Sequence, residues 1–89
     1  MELNELKYIV KITDATRYEY YIGNGGSYQF QGEKYAVVVE RADEAKKYKS
    51  YKIARASYEK LYCSCCNIVG SVEIIGIDEK GDLHRVDGT

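Results

Sequence analysis

The chain has 89 residues and a mass of 10.2 kDa, enough for one domain, residues 1–89, with a single modest core. Hydrophobic residues make up 45% of it and charged residues 30%, values typical of globular rather than disordered proteins. A formal net charge of -1 excludes a global field that would draw the chain to DNA or an acidic membrane. It also argues against a mimic of DNA. The composition is unusual in having ten tyrosines and no proline.

The N-terminal segment carries acidic residues where a secretory signal needs a basic start. The longest purely apolar run, residues 35–39, is far short of the roughly 20 residues that cross a bilayer. We therefore expect a cytoplasmic protein with no membrane partner.

The first half of the chain shows the period-2 alternation of half-buried strands. Two such segments, residues 7–12 and 17–22, predict a hairpin. The glycine-rich segment Gly23–Ser27 is predicted to be a loop, because glycine and asparagine tolerate a positive φ. A hairpin connection is favoured there over a phosphate-binding loop, which would lead into a helix N-terminus. Further strands are predicted over residues 27–31 and 34–40.

The second half begins with a change of period. Residues 42–49 predict a turn of helix, and Ser50 is the predicted N-cap of a longer helix over about 51–64. A strand over residues 71–77 follows, and the remainder is either a short edge strand or frayed. The predicted fold is therefore α+β, a mostly antiparallel sheet of four to five strands with one main helix packed on one face, in the order ββββαβ. The predicted apolar face of that helix consists of Tyr51, Ala54, Tyr58, Leu61 and Tyr62.

Three cysteines and one histidine form the set that could bind a transition metal such as zinc, namely Cys63, Cys65, Cys66 and His84. The spacing is poor for zinc, because structural sites usually combine two closely spaced pairs of ligands. Packing of the thiols as small apolar groups under the helix end is favoured. A catalytic thiol would need the histidine within hydrogen-bond reach as its base, and nothing in the spacing of these residues requires that arrangement. We therefore expect no metal, no cofactor and no enzymatic activity, with a structural zinc-binding domain as an alternative.

Charge is segregated along the chain. Residues 46–60 contain six basic side chains and one acidic side chain, about +5, whereas the rest has seven basic and thirteen acidic ones, about −6. Tyrosines interleave with these lysines, which suits single-stranded nucleic acid. A solvated helix face, an acidic protein partner and nucleic acid all remain open. The residues predicted to bind a partner are Lys46, Lys47, Tyr48, Lys49, Tyr51, Lys52, Arg55 and, beside the glycine-rich segment, Tyr21.

The ten tyrosines are more than the core of so small a domain can readily bury. Those in phase with the predicted strands should face the core with their hydroxyl groups at its rim. The others should lie on the surface, where clustered tyrosines indicate recognition of a partner. An exposed sheet edge would in addition allow a homodimer. The tyrosines predicted to face the core are Tyr8, Tyr18, Tyr20, Tyr28 and Tyr35.

The outline formed by the hairpin (8–22), the apolar strand (35–40), the start of the amphipathic helix (45–50) and the last strand (72–78) resembles a known group of proteins. These are the small α+β accessory proteins of bacteriophages and mobile elements of Gram-positive bacteria, which include anti-CRISPR inhibitors. The resemblance implies a non-enzymatic inhibitor in the cytoplasm of a bacterial host. Its partner would be a host defence protein or protein–nucleic-acid complex, such as a CRISPR effector nuclease. A nucleic-acid-binding module using residues 46–60 is the alternative from another class.

Overall fold

A computed structural model describes residues 6–68 and 70–86. These residues form a five-stranded antiparallel sheet with one helix on one face, so the predicted α+β class is confirmed. The order across the sheet is β3-β2-β1-β4-β5. The elements are β1 (Lys7–Thr13), β2 (Glu19–Phe30), β3 (Glu33–Val39), a 3-10 turn (Ala42–Glu44), α1 (Tyr51–Ser64), β4 (Ser71–Ile77) and β5 (Leu83–Arg85).

The glycine-rich segment lies inside a strand, which corrects the predicted loop. β2 is continuous over 12 residues, and its register with β3 shifts between Ile22 and Ser27. Gly25 and Gly26 adopt φ values of 110° and 73°, so the segment is a bulge and not a connection. The connection to β3 is a tight two-residue turn after Phe30, with positive φ at both positions. A bulge and a loop need the same residue types, which is why the sequence pattern did not separate them.

Helix α1 begins where the sequence predicts. The Ser50 hydroxyl accepts a hydrogen bond from the Ile53 N–H at 3.1 Å, as an N-cap does. Ala54 is fully buried against the sheet, but Tyr62, which was predicted to lie on the same face, is 55% exposed. The inward stripe runs through Tyr51, Ala54, Tyr58 and Leu61, so Tyr62 lies one position beyond it. In the part of the chain that is described, no helix has the length and apolarity needed to cross a bilayer.

Both faces of the sheet carry buried aliphatic side chains. The larger cluster lies between the sheet and α1 and includes Val10, Ile12, Tyr20, Ile22 and Ile74. A smaller cluster on the opposite face contains Ile9, Ala45, Ile75 and Ile77. Full burial of an Ile or Val side chain contributes roughly 1.5–3 kcal/mol, so these two clusters dominate the favourable terms of folding.

Residues 45–48 form a short extended segment inserted between β1 and β2, which we call the wedge. β1 and β2 pair at three positions near their shared turn, and beyond those positions the wedge bonds to both strands. The Lys46 N–H donates to a β2 carbonyl at 2.9 Å, and Tyr48 exchanges two hydrogen bonds with Tyr8 at 2.8 Å. The wedge carries Ala45 into the smaller cluster and Tyr48 into the larger one. It therefore fills the sheet where the strands separate.

The outer edge of β3 is covered by the loop that follows α1. The Cys66 N–H donates to the Lys34 carbonyl at 3.0 Å. The Asn67 side chain accepts from the Ala36 N–H at 2.8 Å and donates to the Ala36 carbonyl at 3.0 Å. A side-chain amide thus takes the place of a neighbouring strand, which protects this edge from pairing with other chains. The opposite edge, β5, is only three residues long.

A row of alternating charges crosses the face opposite α1. Lys11 on β1 lies 3.7 Å from Glu19 on β2 and 3.5 Å from Glu73 on β4. Arg85 on β5 lies 3.8 Å from the same Glu73. This end of the face is therefore a polar surface to which four strands contribute.

Candidate partner-binding groove

A shallow groove of about 570 Å³, widely open to solvent, lies between the wedge and α1, and we call it the lysine groove. Lys46, Lys47, Lys49 and Lys60 line its rim. Its floor is formed by one side of α1, where Ile53 is 50% exposed. No acidic residue is among those that line the groove, so it combines an apolar floor with a cationic rim.

Local geometry explains why these side chains converge. The lysines before the helix lie on extended chain that runs beside α1. On the helix, residues three, four and seven positions apart share one side, which brings Ile53, Ala56, Ser57 and Lys60 together. The sequence predicted a basic cluster over residues 46–60 but not this groove. Ile53 and Lys60 were absent from the predicted set, although their helical spacing was a signal that could have found them.

Two of the groove lysines contact neighbouring groups of the wedge and the turn before it, one through main-chain carbonyls and one through an aromatic ring. The Lys47 Nζ donates to the main-chain carbonyls of Asp43 at 2.9 Å and Ala45 at 3.2 Å. The Lys46 Nζ lies 5.3 Å from the centre of the Tyr48 ring, a cation–π contact. These contacts fix where the positive charges stand before any partner arrives, which lowers the cost of ordering them on binding.

The other two basic residues of the predicted set lie outside the groove. Lys52 and Arg55 line a neighbouring depression that also includes Glu59. The Arg55 Nε lies 3.3 Å from a carboxylate oxygen of Glu59, and this contact raises the pKa of the guanidinium, with Tyr51 contributing next. Arg55 therefore already has an acidic partner on its own helix.

The predicted tyrosines do not form a stacking surface beside the lysines. Tyr48 is only 6% exposed, and its hydroxyl is hydrogen-bonded to the Ser57 Oγ at 2.8 Å. Tyr51 is half-buried against the core. Tyr21 packs beside Ile9 on the opposite face of the sheet. Of the three tyrosines predicted to bind a partner, one is thus buried, one is half-buried, and Tyr21 lies on the other face of the sheet from α1.

The cysteines and the histidine lie at opposite edges of the sheet. Cys66 contacts β3 through its N–H, whereas His84 belongs to β5, four strand spacings or about 19 Å away. Cys65 is buried, Cys63 and Cys66 are exposed, and the His84 Nε2 lies 2.9 Å from Asp78 Oδ2. Among the described residues, no group of three His, Cys, Asp or Glu side chains could hold a metal ion. These cysteines and His84 are therefore too far apart to share one metal ion or to form a thiol–imidazole pair.

A second exposed surface lies on an arm formed by residues 24–35 of β2 and β3. The molecule measures 51 × 24 × 24 Å along its principal axes. Tyr28 and Phe30 are 52% and 58% exposed, and the rings of Tyr28 and Tyr35 stack with centroids 5.7 Å apart. The Cys66 thiol, hydrogen-bonded to the Tyr35 hydroxyl, raises the pKa of that tyrosine. The prediction that Tyr28 faces the core is therefore wrong, and so is that for Tyr18, which is 48% exposed.

Comparison with known proteins does not place this chain in a family. No family model matches it, and neither a curated protein nor a solved structure does. A proposal of function therefore depends on the chemistry of the lysine groove and the arm.

Proposed function

We propose that the chain is a non-enzymatic binding protein that docks an acidic segment of a partner protein in the lysine groove. The supporting observation is the arrangement of four lysines around the exposed side chain of Ile53. Protein–protein interfaces typically combine an apolar centre with a polar rim, and here lysines form that rim. The apolar floor would take an aliphatic or aromatic anchor, and the lysines would steer and orient its acidic neighbours.

The groove suits a protein partner better than a single strand of nucleic acid. Single-stranded nucleic acid binds where cations lie beside exposed aromatic rings, because each base needs a flat partner for stacking. The tyrosine in this groove, Tyr48, turns its ring into the core. The exposed apolar group is instead the branched chain of Ile53, which packs against another side chain but gives no flat surface.

The biological setting of this proposal comes from the resemblance to phage accessory proteins. In that setting the partner is a host defence protein, such as a CRISPR effector nuclease, in the cytoplasm of a bacterium. The protein would inhibit by occupying a surface that the partner needs. The lysine groove supports the binding step, and inhibition is the part that an activity assay of the partner has to test.

A charge-matched pair of variants tests the groove directly. One variant removes Lys47, Lys49 and Lys60 from the rim by substitution with glutamine. The control removes the same number of charges elsewhere, through Lys34→Gln, Lys52→Gln and Lys80→Gln. Each protein is titrated against a labelled acidic peptide with an aliphatic centre and against a labelled oligothymidine of equal charge, over a range of salt concentrations.

We expect the peptide to bind the wild type and the control more tightly than it binds the groove variant, by about tenfold or more. Equal peptide binding by the groove variant and the control would contradict the proposed site. Tighter, steeply salt-dependent binding of the oligothymidine, lost in the groove variant, would favour the nucleic-acid alternative. A pull-down from nuclease-treated host lysate with the same two variants then identifies the partner as a protein that the control retains and the groove variant does not.

A further inference from the structure

The arm leaves one side of β2 without a strand partner. Residues 27–30 pair with β3 on one side. On the other side, β1 pairs only near the first turn, and the wedge reaches β2 only as far as Gly23. Within residues 6–68 and 70–86, no strand adjoins the arm on this side.

Turn geometry fixes which main-chain groups face this free side. In a hairpin with a two-residue turn, the closing pair exchanges hydrogen bonds, and the next pair directs its main-chain groups outwards. Phe30 and Glu33 close the turn, so the outward groups on β3 belong to Lys34 and Ala36. These are the residues that the loop after α1 covers on that edge. By the same alternation, the outward groups on β2 belong to Ser27 and Gln29, and among the described residues nothing covers them.

The composition of this edge is that of a strand able to pair with its own copy. Residues 24–30 contain no charged side chain, in a chain in which 30% of residues are charged. Edges that must stay single usually carry lysine, proline or an inward-pointing charge. An identical strand can lie opposite this one without placing like charges together.

We propose that the protein forms a homodimer by antiparallel pairing of the two arms about a two-fold axis at Tyr28. Ser27 of each copy then lies opposite Gln29 of the other, and these outward-facing groups form four main-chain hydrogen bonds. The two Tyr28 side chains meet across the axis at the closer, non-hydrogen-bonded position. Phe30 lies beside Gly26 of the second copy, where an added Cβ would meet nothing within 4 Å.

Because the register pairs identical strands without a clash of charges, a second copy of the chain is the partner that suits this edge. The pairing joins β3 and β2 of each copy into one four-stranded sheet with the aromatic rings continuous on one face. An acidic segment of the kind proposed for the lysine groove would find no cation on residues 24–30. The contact is short, so we expect a reversible dimer rather than an obligate one.

Sedimentation velocity over a concentration series tests the dimer, with a reductant present to exclude disulfides through the exposed Cys63 and Cys66. Gln29→Pro removes an outward N–H without touching the bonds to β3, and Gln29→Ala, which keeps that N–H, is its control. Tyr28→Lys places two like charges across the axis, and Tyr28→Phe, which keeps the ring, is its control. Circular dichroism of all four variants checks that the sheet is retained.

We expect the wild type, Gln29→Ala and Tyr28→Phe to shift from monomer to dimer with concentration. Gln29→Pro and Tyr28→Lys should raise the dissociation constant by at least about tenfold. A wild type that stays monomeric throughout overturns the proposal, and so does a dimer that both variants leave intact. The lysine groove shares no residue with this edge, so failure here leaves the proposed function standing, and the reverse also holds.

Discussion

The side chain of Asn67 pairs with the main chain of Ala36 as a neighbouring strand would, accepting from its N–H at 2.8 Å and donating to its carbonyl at 3.0 Å. The same residue's carbonyl accepts from the Tyr20 hydroxyl at 2.9 Å. One asparagine thus joins the loop after α1 to the edge of β3 and to the core.

Removing this amide should destabilise the fold. Asn67→Ala leaves both Ala36 groups without their partner, at a cost of about 1–3 kcal/mol in the free energy of unfolding. Asn67→Asp should also destabilise at neutral pH, because a carboxylate cannot donate to the Ala36 carbonyl. Urea denaturation measures both variants, with the exposed Cys66→Ala as a control at the adjacent position. A loss of stability no greater than that of the control would contradict the role of the amide.

Tyr48 should behave as a core residue and not as part of the partner surface. Tyr48→Ala removes a buried ring and should lower the free energy of unfolding by about 3–5 kcal/mol. Tyr48→Phe loses only the hydrogen bond to Ser57 and should cost about 1 kcal/mol. Thermal or urea unfolding gives these values. If Tyr48→Phe kept its stability but lost peptide binding in the groove assay, the tyrosine would have the partner-binding role that the sequence suggested.

Gly70 should tolerate no side chain. Its φ is 105°, and an added Cβ would lie 2.2 Å from the Thr13 carbonyl oxygen, a main-chain atom that cannot move aside alone. Gly81 provides the comparison, because its φ is 90° but an added Cβ meets nothing within 4 Å. Gly81→Ala should cost about 1–2 kcal/mol through backbone conformation alone. Gly70→Ala should cost clearly more in the same denaturation experiment, and equal losses would contradict the close approach of β1.

Protonation of Asp78 should lower the stability of the fold at acid pH. Its pKa is lowered from 3.8 by the hydrogen bond with His84 first, and also by the main-chain N–H groups of Asp82 and Lys80. A lowered pKa in the folded state means that the carboxylate stabilises the fold above the unfolded pKa, and that this stabilisation is lost as the pH falls through the folded pKa.

Carbon-detected NMR of the carboxyl group measures this titration. We expect a midpoint for Asp78 below 3.8 in the wild type and a higher midpoint in His84→Ala, which removes the first cause. The difference in unfolding free energy between the wild type and Asp78→Asn should shrink from neutral pH towards the acid range. A midpoint for Asp78 at or above 3.8 in the wild type would show that the contact with His84 does not favour the ionised form.

Sequence patterns predicted the parts of this fold in which one face of an element is buried. Alternation located β1 and β4, because burial on one face leaves a period in the sequence. An apolar run located β3, and the capping serine located α1. Within residues 42–49 the sequence predicted a turn of helix, and a 3-10 turn is present at Ala42–Glu44. Residues 45–48 are extended, which the sequence did not indicate, because nothing local shows that two strands separate to admit them. The wedge is extended because of its partners, Tyr8 and β2.

The candidate site divides in the same way. The density of lysines over residues 46–60 is a property of the sequence, and it was predicted. Which of those lysines point into one groove depends on the change from extended chain to helix at Ser50. The opposite orientations of Tyr48 and Ile53, one buried and one exposed, follow from that change and from the position of the sheet. No local pattern contains that information.

The wedge also constrains the order in which the chain can assemble. β2 and β3 are neighbours in sequence and can pair early, whereas β1 pairs with β2 at three positions and otherwise depends on the wedge and on β4, near the other end of the chain. Contacts between distant segments form slowly, because a long loop must close before they contribute. A nascent chain that ends before Ser71 therefore lacks β4, the strand with which β1 forms most of its pairs. During synthesis, we therefore expect β1 to stay open to proteases and chaperones until β4 has emerged and paired with it.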